Sequence, residues 1–188
     1  MKRSMTMMVV AGVALLGARP AAAQLGLGGG VTFPAGDLDD VTGAGWHVQG
    51  QLGFQPGMLP IGLRLDAGFQ QLGGDEDAPD VTGDFSFQEI FGTLSAVLPL
   101  INEPGLAPYV LGGVGFYGDR FSFDDEGVEE DVEDWQTNFG LNGGVGMDIP
   151  LGGYNTFVEA RYQHVFSGED FGPGESIQTF PITFGLRF

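Results

Sequence analysis

The chain has 188 residues, no cysteine, and 25 acidic residues against seven basic ones, for a net charge of −18. Without thiols there are no disulfides and no thiolate metal sites, and a balance this acidic excludes nucleic-acid binding. Glycine supplies 34 residues, well above its usual share of about 7%, and follows no collagen-like period.

The first 23 residues have the pattern of a secretory signal peptide. Lys2 and Arg3 precede an apolar run over residues 5–16, and an Ala-x-Ala site ends at Ala23. We therefore expect residues 24–188 to form one domain that retains all 25 acidic residues and only four Arg, a net charge of −21. A retained anchor helix is the alternative. No run of about 18 apolar residues follows, so any membrane crossing must use strands.

Three strands are predicted in the first third of this domain, over residues 24–33, 46–54 and 61–70. Each alternates apolar residues with small or polar ones, which is the period of a strand with two different faces. The third is the clearest, because Leu63, Leu65 and Phe69 lie on one face and Arg64 and Asp66 on the other. An acidic loop, residues 34–44, follows the first strand, and a short Pro/Gly turn, residues 55–60, follows the second.

The middle strands are harder to orient. Residues 85–98 predict a strand with Leu94 on one face and Thr93 and Ser95 on the other. Phe87 and Glu89 do not fit that assignment, so we expect a bulge or a strand end that projects above a bilayer. Residues 109–117 predict a fifth strand with apolar residues or Gly on both faces, and its phase stays unassigned.

Three further strands, over residues 138–149, 157–166 and 179–188, complete a set of eight. The last reads TFPITFGLRF, with an unbroken apolar face and Arg187 on the opposite face. Long acidic loops alternate with short turns along the chain, and the four long loops hold 20 of the 25 acidic residues. Such a layout, with long loops outside and short turns on the periplasmic side, is typical of outer-membrane β-barrels.

Six charged residues share the polar faces of the predicted strands: Arg64, Asp66, Asp148, Glu159, Arg161 and Arg187. Buried charges are costly unless they are paired, and this set offers three acids to three bases. An eight-stranded barrel has an interior just wide enough for side chains to fill. We therefore predict a lumen filled by a structural ion-pair network.

The segments GLGGGVTFP, PYVLGGVGFY, FGLNGGVGMDIPLG and FVEARYQHVF and the terminal Phe together resemble the small eight-stranded outer-membrane barrels, the OmpA/OmpX-like group. The resemblance implies an all-β, antiparallel, up-and-down transmembrane barrel in the outer membrane of a Gram-negative bacterium. It also implies contact with outer-membrane lipid and lipopolysaccharide, and an assembly signal at Phe184, Leu186 and Phe188 read by the barrel-assembly machinery. The chain stops at Phe188, so we expect no C-terminal peptidoglycan-binding domain.

An acidic cluster and a His/Ser pair could each have either a functional or a purely structural role. An acidic cluster could bind Ca²⁺ or Mg²⁺, although its spacing does not match an EF-hand and a solvated loop explains it as well. It comprises Asp124, Asp125, Glu126, Glu129, Glu130, Asp131, Glu133 and Asp134. His164 and Ser167 stand as His-x-x-Ser, whereas barrels resembling the lipid A deacylases carry His-x-Ser, so a His at the membrane interface is favoured.

We therefore expect a monomeric, non-enzymatic barrel without cofactors. It would act in envelope structure, or in surface interaction and adhesion through its acidic loops. The alternatives are a small pore or lateral conduit for small or apolar solutes, and a lipid A-modifying enzyme. A soluble lipocalin-like barrel is the rival at the level of the fold.

Overall fold

The computed structural model describes residues 23–40, 42–55, 61–74, 84–101, 105–124, 135–166 and 176–188. Eight antiparallel strands form a closed barrel in chain order, and β8 pairs with β1, so no strand has a free edge. This confirms the predicted fold class. The strands are β1 (Ala23–Ala35), β2 (Thr42–Phe54), β3 (Gly62–Gly74), β4 (Asp84–Pro99), β5 (Ala107–Asp124), β6 (Gln136–Leu151), β7 (Tyr154–Phe166) and β8 (Ser176–Arg187). A 3-10 helix, Gly36–Asp40, follows β1. Within the described ranges, no helix is long and apolar enough to cross a membrane.

The apolar faces of the strands point outward and the polar faces point into the lumen. Phe184 is 55% exposed and Leu186 37%, whereas Arg64 and Arg161 are 4% and 2% exposed. A soluble barrel would place these groups the other way round, because water would then surround the outer face. The lumen therefore holds the polar side chains, and the exterior suits lipid.

The structure orients the two strands that the sequence left uncertain. β4 pairs without a register shift along its length with both β3 and β5, so of the two explanations expected for Phe87 and Glu89 the bulge is wrong and the projecting strand end remains. Both residues face the lumen in phase with Thr93 and Ser95. The only register shift between β2 and β3 lies between Thr42 and Gly45. β5 turns Tyr109, Leu111, Tyr117 and Asp119 inward.

The polarity of the two faces reverses near the end of the barrel that carries the long loops, the loop end. There the lumen becomes apolar, and a cluster of buried side chains forms that we call the loop-end apolar cluster. It comprises Leu38, Leu72, Phe87, Phe91, Tyr117, Val165 and Ile177. The outward neighbours in the same strands are polar, among them Gln71, Gln88 and Gln178. An apolar interior with a polar exterior is what water requires, so this part of the wall projects above the lipid.

Several strands are longer at the loop end than the sequence predicts. β1 runs to Ala35, β3 to Gly74 and β5 to Asp124, into residues assigned to loops. In β3 and β5 the reversal of polarity explains part of the error, because the polar residues Gln71 and Arg120 stand where an apolar outward residue was expected. At the other end, which we call the turn end, β6 and β7 are joined tightly. Gly152 and Gly153 have φ values of 57° and 88° there, which suits a two-residue hairpin turn.

Many lumen glycines lie directly under large side chains of the neighbouring strand. A Cβ atom on Gly146 would overlap the Tyr109 ring, one on Gly140 would overlap Tyr117, and one on Gly185 would overlap Phe157. The narrow interior therefore accepts aromatic rings only because the strand beside each ring has no side chain at that point.

Gly146→Ala is expected to push the Tyr109 ring out of place and to lower the unfolding temperature of the barrel in detergent. Overpacking of this kind costs about 1–3 kcal/mol. Gly92→Ala is the matched control, because a Cβ at Gly92 has nothing within 4 Å. Thermal unfolding followed by circular dichroism compares the two variants. Equal melting temperatures would contradict the proposed role of Gly146.

Candidate functional site in the barrel lumen

The middle of the lumen holds four charged side chains that we call the central ion-pair cluster: Arg64 and Asp66 of β3, and Glu159 and Arg161 of β7. The Arg64 guanidinium donates two parallel hydrogen bonds to Glu159, Nη1 to Oε2 at 2.7 Å and Nη2 to Oε1 at 2.9 Å. Arg161 Nη2 lies 2.6 Å from Glu159 Oε1 and 3.3 Å from Asp66 Oδ2. The cluster therefore contains two positive and two negative charges and is neutral as a unit.

β3 and β7 lie on opposite sides of the eight-stranded ring, so these ion pairs cross the full width of the lumen. The four side chains are between 0% and 4% exposed. Bidentate Arg–carboxylate geometry and full pairing are the conditions under which buried charges are tolerated. The arrangement closes the barrel at this level.

A second ion pair lies toward the turn end. Arg187 of β8 bonds to Asp148 of β6, and Arg187 Nη2 also donates to the Tyr109 hydroxyl at 3.0 Å. The Arg187 guanidinium carbon lies 4.7 Å from the centre of the Phe157 ring, in cation–π range. The Tyr109 hydroxyl in turn donates to Glu159 Oε2 at 2.7 Å. The six sequence-predicted residues are thus brought together as a cluster of four and a pair, joined by Tyr109.

A chain of polar side chains circles the lumen toward the loop end, and we call it the polar belt. The His47 ring nitrogens contact the hydroxyls of Thr32 and Thr183, each at 2.9 Å. The belt continues through Gln70, whose amide donates to Glu89 Oε1 at 2.8 Å. It ends at Asp119, which is the cross-strand neighbour of Glu89 and accepts a hydrogen bond from Asn138 at 2.9 Å. His47, 2% exposed, therefore has a structural position in the lumen.

Glu89 and Asp119 are directly opposite each other in adjacent strands and are 0% and 2% exposed. Two neighbouring carboxyl groups in a poorly hydrated interior cannot both carry a charge without strong repulsion. Sequence reasoning missed this pair, since it counted Asp119 among the loop residues and left Glu89 without a face. The alternation Tyr109, Leu111, Tyr117, Asp119 is the signal that assigns Asp119 to the lumen.

The remaining predicted sites lie at or beyond the barrel surface. His164 faces outward between Tyr162 and Phe166, with its ring centre 4.8 Å from that of Phe166. Ser167 lies outside the described residues, as do the members of the acidic cluster except Asp124. Among the described residues, no group of three or more His, Cys, Asp and Glu side chains is arranged to hold a metal ion.

The terminal strand places its assembly-signal candidates on the outer face. Phe184, Leu186 and Phe188 are all exposed, and Phe188 exchanges backbone hydrogen bonds with Leu25 at the start of β1. They therefore lie at the seam where the barrel closes. Their reading by the assembly machinery stays a prediction.

Over residues 8–188 the sequence matches the family described as the outer membrane protein beta-barrel domain. The chain belongs to this family. Its location is therefore the bacterial outer membrane, in a setting of lipid and lipopolysaccharide. Among curated protein sequences, none is significantly similar to it.

Solved structures of other outer-membrane barrels share the fold. A major outer membrane protein from Thermus thermophilus is 15% identical, with a TM-score of 0.59 over 89% of this chain and 98% of that one. Neisserial surface protein A is 17% identical, with a TM-score of 0.56 over 88% and 95%. At these identities the similarity concerns the fold alone.

The same chemical change is expected to have opposite effects at two lumen carboxylates of this outer-membrane barrel. Glu159→Gln leaves Arg64 and Arg161 short of a counter-charge, and breaking a buried pair costs about 3–5 kcal/mol. Glu89→Gln replaces one of two facing carboxyl groups by an amide that can donate to Asp119. We expect the first variant to melt lower than the native protein and the second to melt at the same temperature or higher.

Thermal unfolding in detergent, read as the loss of heat-modifiable migration on a gel, measures both variants. If Glu89→Gln melted as far below the native protein as Glu159→Gln does, the distinction between the paired and the facing carboxylates would be contradicted.

Proposed function

We propose that this protein is a non-enzymatic outer-membrane barrel with a closed lumen, whose loops act at the cell surface in envelope structure or in adhesion. The observation that carries the proposal is the bond from Arg64 to Glu159, which joins opposite walls of the barrel at 2.7 Å and 2.9 Å. A conducting pore needs a continuous column of water, and paired charges in contact across the lumen leave no room for one.

A second closure supports the same function. The 3-10 helix Gly36–Asp40 places Leu38, 6% exposed, in the loop-end apolar cluster. Thr42 fixes this helix by donating its hydroxyl to the Leu38 carbonyl at 2.8 Å. An ion crossing the barrel would thus meet a packed apolar layer as well as the central ion-pair cluster, and both would have to open.

The charge of the chain favours a role for the loops outside the cell. Residues 125–134 contain seven acidic residues, and residues 24–188 contain no Lys. Three of the four Arg in that range point into the lumen, so they are not offered to partners in solution. The loops are therefore suited to basic partners, or to divalent cations shared with anionic lipopolysaccharide.

The spacing of His164 and Ser167 supports a non-enzymatic role, because the two stand as His-x-x-Ser and not as the His-x-Ser of barrels that resemble the lipid A deacylases. His164 stands among aromatic rings on the outer face, as expected for a residue of the membrane interface. The lumen carboxylates of the central cluster are each paired with an Arg and have no exposed side-chain surface, which leaves them closed to a substrate.

Planar-bilayer recording tests the closed lumen. Purified native protein is expected to give no resolved current steps, because two closures stand in series. A variant with Arg64, Asp66, Glu159 and Arg161 changed to Ala and Leu38 changed to Ser removes the central ion-pair cluster and opens the apolar layer, and it is expected to conduct. Arg120→Ala is a control that leaves both intact. Resolved channels from the native protein would overturn the proposal in favour of the small pore.

Neutralising the largest loop tests its role at the surface. Replacing the seven acidic residues of 125–134 by Asn or Gln is expected to reduce binding of the barrel in nanodiscs to immobilised polylysine by at least tenfold at low salt. The native signal should fall as salt rises, since exposed charges are screened. Native binding that is unaffected by either change would contradict an electrostatic role for this loop.

A further inference from the structure

A cavity of about 350 Å³ opens at the turn end of the lumen, on the periplasmic side of the central ion-pair cluster. Arg64 and Tyr109 line its inner limit, and Gln24, Gln51, Asp148 and Arg187 line its walls. Small-molecule sites begin at about 300 Å³, so the space is large enough for a ligand of a few polar groups.

Gln51 supplies polar atoms that have no partner in the protein. Its side chain is 3% exposed, and neither Oε1 nor Nε2 has a hydrogen-bond partner among the described residues. An unpaired buried polar group costs about 1–3 kcal/mol. The Gln51 amide offers a donor and an acceptor side by side. A molecule that pairs with both must therefore carry an acceptor next to a donor.

Glycine residues keep this cavity empty of protein. A Cβ on Gly53 or Gly62 would meet nothing nearer than 3.6 Å and 3.7 Å respectively. Elsewhere in the lumen a glycine such as Gly146 is required by a ring lying against it. No such packing explains Gly53 and Gly62, which leave room beside Gln51 that no side chain of the described residues occupies.

The charges around the cavity are already neutralised. Arg187 is paired with Asp148, and Arg64 is paired with Glu159 and Asp66. A charged ligand would have to lose its hydration without gaining a free counter-charge, which is unfavourable. A neutral ligand bears no such cost.

We propose that this turn-end cavity binds a small, uncharged, polar molecule with adjacent donor and acceptor groups, such as a sugar, which enters from the periplasm and hydrogen bonds to Gln51. The site lies on the opposite side of the central ion-pair cluster from the loops. It therefore does not depend on what the loops bind, or on whether the loops bind anything.

The test uses the full-length barrel in nanodiscs and glucose as the probe, with glucosamine and glucuronate as charged molecules of matched size. Equilibrium dialysis measures binding, and the NMR shift of the Gln51 side-chain amide reports its position. We expect saturable binding of glucose with a shift at Gln51, and at least tenfold weaker binding of both charged sugars.

Gln51→Leu and Gly62→Leu are expected to abolish binding, the first by removing the polar partner and the second by filling the cavity. Gly92→Leu makes the second change on the outer face, where a Cβ has nothing within 4 Å, and should bind glucose as the native protein does. Heat-modifiable migration verifies that each variant folds, and Gly53→Leu replaces Gly62→Leu if that variant does not.

Absence of saturable glucose binding would overturn the proposal, because water alone would then fill the cavity. Binding that persists in both Gln51→Leu and the filled variant would also overturn it, since the sugar would be held elsewhere. The conductance and loop-binding measurements do not bear on either of these outcomes. The proposed ligand site and the proposed surface role can therefore be disproved independently.

Discussion

The structure depends on the bond that Arg64 makes to Glu159 across the lumen. Apolar side chains on the outer face gain little from lipid, which is as apolar as they are, so the usual driving force for packing is missing there. Closure of the sheet satisfies the hydrogen bonds of the backbone, but side chains must still fill the interior. Because the interior is polar, every charge in it needs a partner, and the four residues of the central ion-pair cluster supply one another. Glycines on neighbouring strands make space for the large side chains that surround this cluster.

Two solvents determine two kinds of core within a single barrel. Where lipid surrounds the wall, the interior is built from ion pairs and polar side chains. Where the wall projects toward the loops, the interior is the loop-end apolar cluster, among whose residues Glu89 and Asp119 of the polar belt lie, and outward residues such as Gln71 and Gln88 are polar. Outward aromatic residues lie where one pattern gives way to the other: Phe116, Phe139 and Phe166 are neighbours across three strands, with ring centres 6.0 Å and 6.2 Å apart. Such a girdle marks a membrane interface.

The sequence alone predicts the barrel and much of its lumen. Strict alternation in β3 and β8 assigns Arg64, Asp66 and Arg187 to the inner face, and the number of acids and bases predicts that they pair. Which partners meet is not predictable, because contact between β3 and β7 depends on the register of every strand between them. Phe87 did not fit the predicted faces of β4 because the rule that apolar residues face lipid reverses above the membrane. In β5, glycine on both faces removed the contrast on which the phase depends, and Tyr109, which links both ion-pair groups, was missed for that reason.

Glycine has two opposite uses in this lumen, and together they separate the two sides of the protein. Under Tyr109, Tyr117 and Phe157, glycine lets a ring fill the interior; at Gly53 and Gly62 it leaves space that no described side chain occupies. Among the residues that the structure describes, the barrel is consequently filled through its middle and at the loop end, and it holds a cavity at the turn end. Since the central ion-pair cluster divides these regions, a molecule on the periplasmic side can reach the hollow without reaching the loops. The proposed surface role and the proposed ligand site therefore concern separate regions of one barrel, the acidic loops at one end and a neutral, hydrogen-bonding cavity at the other.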